Sequence, residues 1–83
     1  MVIKVLGSGC KKCIKLEKRI KKVLINENMK AEVKKVTDMI EISAYNIMST
    51  PAMVIDDLVV SSGKLLEEEE ILDLINKELQ KNH

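Results

Sequence analysis

The sequence predicts an α/β fold, a four-stranded mixed sheet with three flanking helices in the order β-α-β-α-β-β-α. Three observations carry that reading. Val2–Leu6, Ala52–Ile55 and Leu58–Ser61 are short apolar runs of strand length, rich in Val and Ile. The stretches after Cys10 and after Glu67 instead space their apolar residues as helices do. Turn-forming residues separate these runs: Gly7-Ser8-Gly9, Pro51, Asp56-Asp57 and Gly63.

Val2–Leu6, interrupted once by Lys4, reads as a buried strand. Beyond it, Cys13, Leu16, Ile20, Val23 and Leu24 form one stripe of an amphipathic helix, with lysines on the other side. Two asparagines, Asn26 and Asn28, offer its stop. Ala31–Val36 alternates weakly and reads as a second strand. Asp38, followed three residues later by Glu41, is the Asp form of a capping box. The helix it opens is expected to turn Ile40, Ala44 and Ile47 inward and to end before Pro51, which pushes its predecessor out of the α region. Ala52–Ile55 and Leu58–Ser61 then pair across Asp56-Asp57, a weaker hairpin signal than Asp-Gly. Glu67–Glu70 opens the last helix, where carboxylates suit the positive end of the macrodipole. Ile71, Leu74, Ile75 and Leu79 form its expected buried stripe, while Leu66 supplies no capping oxygen. The first β-α-β unit must be parallel and right-handed, and the last two strands antiparallel.

Eighty-three residues, 46% of them hydrophobic, have room for one domain over 1–83 and one modest core. Tyr45 is the lone aromatic residue, so Ile, Leu, Val and Met must build that core. No apolar stretch approaches the roughly 20 residues that span a bilayer, and Met1-Val2-Ile3-Lys4 does not open a secretory leader. The expectation is a soluble cytoplasmic protein without a membrane role. Two cysteines two residues apart are no secreted disulfide framework; in a reducing compartment such a pair is catalytic or metal-binding.

Cys10 and Cys13 sit where a strand ends and a helix begins. At i and i+3 of a helix start they share a face, with Cα atoms roughly 5 Å apart, inside the range a disulfide accepts. The free N–H groups of the helix start stabilise a thiolate, and Lys11 and Lys12 add positive charge. Cys10, nearer the loop, is the expected exposed nucleophile. Cys13, one turn in and on the apolar stripe, is the expected resolving thiol that cleaves a mixed disulfide at Cys10. Two readings compete. As small core residues the cysteines would be oddly placed after a Gly-x-Gly loop. A closed zinc site needs about four ligands, and the chain offers two thiols and His83. No metal and no cofactor are therefore expected, although a two-thiolate copper(I) site or a metal shared across a dimer stays open.

Gly7-Ser8-Gly9-Cys10-Lys11-Lys12-Cys13, joined to Ser49-Thr50-Pro51-Ala52-Met53-Val54-Ile55-Asp56 and Ser61-Ser62-Gly63-Lys64, resembles the small thioredoxin-like proteins of archaea and bacteria called redox-active disulfide protein 2. The resemblance covers nearly the whole chain. It implies a thioredoxin-like fold, thiol–disulfide exchange with protein disulfides, and an upstream reductase as second partner. It also implies a cis bond between Thr50 and Pro51 beside the cysteines, with Thr50 docking an extended substrate segment through its backbone. Met53 or Met48 would line apolar surface beside that groove, core filling being the plainer role for both. The chain departs from larger relatives. Thioredoxins carry Trp before the first cysteine and Gly-Pro between the pair, where Ser8-Gly9 and Lys11-Lys12 stand here. Ser61-Ser62-Gly63-Lys64 replaces the Gly-Gly-x-Asp-like element of glutaredoxins.

Net charge is +1, but unevenly spread: residues 1–36 hold 11 Lys/Arg and 3 Asp/Glu (+8), residues 37–83 hold 3 and 10 (−7). Seven of the twelve residues from Lys11 to Lys22 are basic. Nucleic acid is not the expected partner, since no binding motif and no aromatic platform accompany the lysines. An acidic protein surface is a partner that this charge would steer. Small copper carriers also place C-x-x-C at a loop-to-helix junction, but their β-α-β-β-α-β order ends on a strand. This chain ends on a helix. The reading is thus a thiol–disulfide oxidoreductase; the alternative is a metal-binding or partner-binding module using the same thiolates without turnover.

Overall fold

A computed structural model describes residues 1–81. His83, and with it the last two positions of the domain expected over 1–83, lie outside the described residues. The elements are β1 (Val2–Leu6), α1 (Lys11–Asn26), β2 (Glu32–Val36), α2 (Met39–Ser43), β3 (Ala52–Ile55), β4 (Leu58–Ser62) and α3 (Glu68–Lys81). Their order is the one the sequence predicts.

The sheet runs β2-β1-β3-β4. β1 and β2 are parallel, from Val2 opposite Glu32 to Leu6 opposite Val36, and α1 is the crossover such a pair requires. β3 is antiparallel to both β1 and β4. Alternation along β1 sends Ile3 and Val5 to one face and Lys4 and Leu6 to the other. The first face carries the larger core, built from Leu16, Ile20 and Val23 of α1, Met53 and Ile55 of β3, and Ile71 and Ile75 of α3. The second face gathers Leu6, Val36, Ala52 and Val54 under Ile42 of α2.

Local signals explain where the helices stop. Asn28 takes a left-handed conformation (φ 53°) after α1. The Met29 N–H reaches the Leu24 carbonyl and the Asn28 N–H the Ile25 carbonyl, the two bonds of a Schellman closure. At α3, Glu70 Oε1 accepts from the Glu67 N–H at 3.0 Å, the return arm of a capping box. Leu66 before the cap and Ile71 beyond it join the same core, a hydrophobic staple. The cap that the sequence does not reveal is thus a side chain reaching back from inside the helix.

Two expectations are corrected. α2 is a five-residue helix with Ile42 as its buried residue; Ile40 and Ala44 are exposed and Ile47 is partly buried. Asp38 accepts from the Ile40 N–H at 3.1 Å, and this cap sets the helix phase so that Ile42 meets the sheet. Asn46, at φ 56°, reverses the chain soon after. Leu79, assigned to the buried stripe, is 44% exposed. Leu79 lies in the last turn of α3 and lines an open cleft with Met1, Leu24 and Met29 that the core does not fill. The hairpin closes with both Asp56 (φ 47°) and Asp57 (φ 67°) left-handed, the backbone of a type I′ turn, which Asp tolerates better than most residues.

Leu16 has no exposed surface and lies on the α1 face that meets the sheet. Leu16→Ala removes buried methyl groups and leaves a cavity, with an expected loss of about 2–5 kcal/mol in a urea titration.

Candidate functional site

The site assembles where β1 ends and α1 begins. Cys10 is the N-cap residue of α1, extended at φ −67° and ψ 165°, and its carbonyl accepts the first helical bond from the Ile14 N–H at 3.0 Å. The unbonded N–H groups of the first turn therefore lie beside the Cys10 side chain, which makes no cap hydrogen bond to them. Cys10 is exposed and Cys13 is 5% exposed, both as free thiols. Their sulfurs are in contact at 2.6 Å.

These surroundings push the two thiols apart. Cys10 is held below the ordinary cysteine range, first by the Cys13 side chain hydrogen-bonded to it and then by the backbone N–H groups of Cys13 and Lys12. Cys13 is pushed up, first by burial and then by its bond to Cys10. One thiol favours the charged form and its neighbour the proton-bearing form.

Three backbone segments close around the pair. Gly7, directly after β1, packs so tightly that a Cβ there would collide with Cys13 Sγ and lie 3.7 Å from Thr50 Cβ. The loop after β1, the first turn of α1 and the Thr50 segment thus meet at one glycine. The Thr50–Pro51 bond is cis, as the resemblance implies. Pro51 is fully buried, Thr50 is exposed, and the Pro51 carbonyl accepts from the Gly63 N–H at 2.8 Å. Gly63 is left-handed (φ 72°), and a Cβ on it would strike Ser49 Oγ. Gly63 is thus a supporting residue of the Thr50-Pro51 loop, where the sequence shows only a turn-forming residue after the last strand. Its signal was a glycine set after Ser61-Ser62, beyond the point where the hairpin needs one.

Lys11 and Lys12 are exposed beside Cys10. Met48 is 98% exposed in the loop before Thr50, whereas Met53 is wholly inside the core and so lines no surface. A cleft of about 230 Å³ reaches Cys13 between Gly7, Ile14 and Lys35. The sequence reading missed Lys35, because β2 approaches the thiol only through the parallel pairing with β1. Among the described residues, no three His, Cys, Asp or Glu side chains cluster as metal ligands, and no helix is long and apolar enough to cross a membrane.

Comparison with known proteins agrees with this geometry. The family model described as Thioredoxin domain matches residues 1–76. A thioredoxin of Methanocaldococcus jannaschii is 35% identical over 80 residues, 96% of this chain and 92% of that protein. A thioredoxin of Methanothermobacter thermautotrophicus is 26% identical over 76 residues, 92% of this chain and 99% of that protein. The fold is shared with thioredoxin 1 of the thermophilic eubacterium Thermosipho africanus TCF52B at a TM-score of 0.61 and 17% identity, covering 99% and 98% of the two chains. A C-x-x-C pair at a helix start, a four-stranded mixed sheet and these matches together place the chain in the thioredoxin family of thiol–disulfide oxidoreductases.

Proposed function

We propose that this protein reduces protein disulfides with Cys10 as nucleophile and Cys13 as resolving thiol. The observation that carries the assignment is the contrast within the pair: Cys10 exposed and held towards thiolate, Cys13 buried and held towards thiol. The Cys10 thiolate attacks one sulfur of the substrate disulfide, forming a mixed disulfide and releasing the first substrate thiolate. Cys13 then loses its proton and attacks Cys10 Sγ, which closes the Cys10–Cys13 disulfide and releases the second substrate thiol. Two electrons and the Cys13 proton pass to the substrate, and the first substrate thiolate takes its proton from water. A dithiol-regenerating reductase is the partner that returns them.

Lys11 and Lys12 add positive charge around the Cys10 thiolate, beyond what the helix N–H groups supply. Thr50 and Pro51 shape the groove in which an extended substrate segment lies, with the exposed Met48 as its apolar border. The chemistry suits the reducing cytoplasm, where the resting pair is a dithiol. Holding a metal without turnover is the weaker reading, because the described residues of one chain offer only the two thiolates.

Two variants separate the roles. Cys10→Ser abolishes reduction of a protein disulfide, whereas Cys13→Ala keeps the attacking Cys10, lacks the resolving thiol and accumulates a mixed disulfide visible by intact mass. A Cys10→Ser variant that reduces at the normal rate would sink the assignment.

Alkylation of Cys10 by iodoacetamide has a pH midpoint below that of an ordinary cysteine. The sign follows from the thiolate being the reactive form: the rate is full above the depressed pKa and falls as pH drops through it. Cys13→Ala removes the first-named stabilising donor, so the midpoint moves upward.

Gly63→Ala forces a left-handed backbone onto a side chain and pushes Ser49. Turnover of peptide disulfides, which use the Thr50-Pro51 loop, is expected to fall more than turnover of a small neutral disulfide. Equal loss on both would remove the loop from substrate docking.

A further inference from the structure

The basic residues of α1 are not all alike in their surroundings. Arg19 pairs with Glu67 at 3.6 Å and donates to the Leu66 carbonyl at 2.8 Å. Lys22 pairs with Glu68 at 3.5 Å, and Lys21 with Glu17 at 3.4 Å. The acidic start of α3 lies alongside the middle of α1, and its carboxylates neutralise the charges there. Lys11, Lys12, Lys15 and Lys18 lie nearer Cys10, and all four are exposed. No carboxylate among the described residues lies within 4.0 Å of any of them.

At 100° per residue, Lys11, Lys15 and Lys18 fall within an arc of about 60°. That arc is turned away from the buried Cys13, Leu16 and Ile20. From Lys11 to Lys18 the helix rises about 10 Å, which is one Debye length at 0.1 M salt. Four uncompensated ammonium groups therefore act together on whatever approaches Cys10.

We propose that the first two turns of α1 dock a partner protein whose reactive disulfide is flanked by carboxylates. The proposal rests on the exchange reading above and specifies the substrate class of the same site. Three features select this occupant. The ammoniums stand on the convex outside of a helix, which fits a protein surface better than a small anion. The one aromatic side chain, Tyr45, is bonded to Lys4 and Asp57 on the other face of the sheet, so no stacking platform for bases accompanies the lysines. A second copy of this chain is a poor match, because in the acidic start of α3 Glu67, Glu68 and Glu70 are already paired with Arg19, Lys22 and Lys64. That leaves Glu69 alone of those four to meet a second set of lysines. Ile14, 42% exposed on the same first turns, gives the docked surface an apolar contact beside the thiol.

The test uses the reduced protein and three synthetic peptides that carry one disulfide flanked by Glu, Gln or Lys. Hydroxyethyl disulfide serves as a small neutral control. At about 0.02 M salt the Glu peptide is expected to react about tenfold faster than the Gln peptide, and at about 0.5 M that advantage should largely vanish. The double variant K15Q/K18Q should lose most of the advantage while reducing hydroxyethyl disulfide at the wild-type rate. Equal rates on all three peptides, or an equal fall on the neutral control, would overturn the docking face. So would stronger inhibition by a single-stranded oligonucleotide than by polyglutamate of matched charge, or sedimentation showing self-association that K15Q/K18Q abolishes. No reduction of hydroxyethyl disulfide by the wild type would instead overturn the exchange reading, and the docking proposal with it.

Discussion

Burial of one apolar stripe of α1 against the Ile3–Val5 face of the sheet sets the rest of the molecule. Leu16, Ile20, Val23 and Leu24 allow a single rotation of the helix about its axis. In that rotation Cys13 points into the core, Cys10 caps the exposed end and the lysines face water. Turning the helix by one residue would replace Cys13 with Lys12 and Leu16 with Lys15 at buried positions. Burying an unpaired charge costs far more than any gain at the thiols. The difference between the two cysteines is therefore enforced by the whole core and not by the four-residue motif alone.

Much of this was legible in the sequence, and for a definite reason. α1 is sixteen residues long, so its 3.6-residue period repeats often enough to fix both its existence and its buried face. α2 offers a little over one turn, too short for a period to declare itself; there the Asp38 cap decides which side chain meets the sheet. At Leu79 the pattern gives the correct face of α3 but carries no information on the open cleft that this face meets beside Met1, Leu24 and Met29. Gly63 and Lys35 are harder still. Their neighbours Ser49, Pro51 and Cys13 are 12 to 22 positions away in sequence and become neighbours only through strand pairing.

Lys4 shows how the thinner side of the sheet tolerates a charge in the middle of the first strand. It sits in β1 between two paired strands, facing the layer that only the short α2 covers. Its ammonium donates to Tyr45 Oη at 3.0 Å, lies 3.6 Å from Asp57, and stays partly exposed at 26%. Tyr45 in turn donates to Asp57 at 3.3 Å. The Tyr45 hydroxyl, first, and the nearby Asp57 hold the Lys4 pKa above its ordinary value. The lone aromatic residue thus serves as a bridge between a strand, a helix end and a hairpin, while the larger core is purely aliphatic apart from Met53 and Cys13.

Thiol–disulfide exchange makes two demands that pull against each other. The sulfurs must be close enough to bond, yet differ enough in the reduced state that one attacks and the other waits. A helix start meets both at once. The i, i+3 spacing brings the sulfurs together, while the same single turn carries the chain from solvent into the core. In a free loop nothing would hold the separation. Deeper in the helix the N–H groups would already be bonded within it, leaving none to stabilise a thiolate. Gly7 completes the arrangement by having no side chain: Cys13 Sγ occupies the space a Cβ would need, and the buried thiol can approach Cys10.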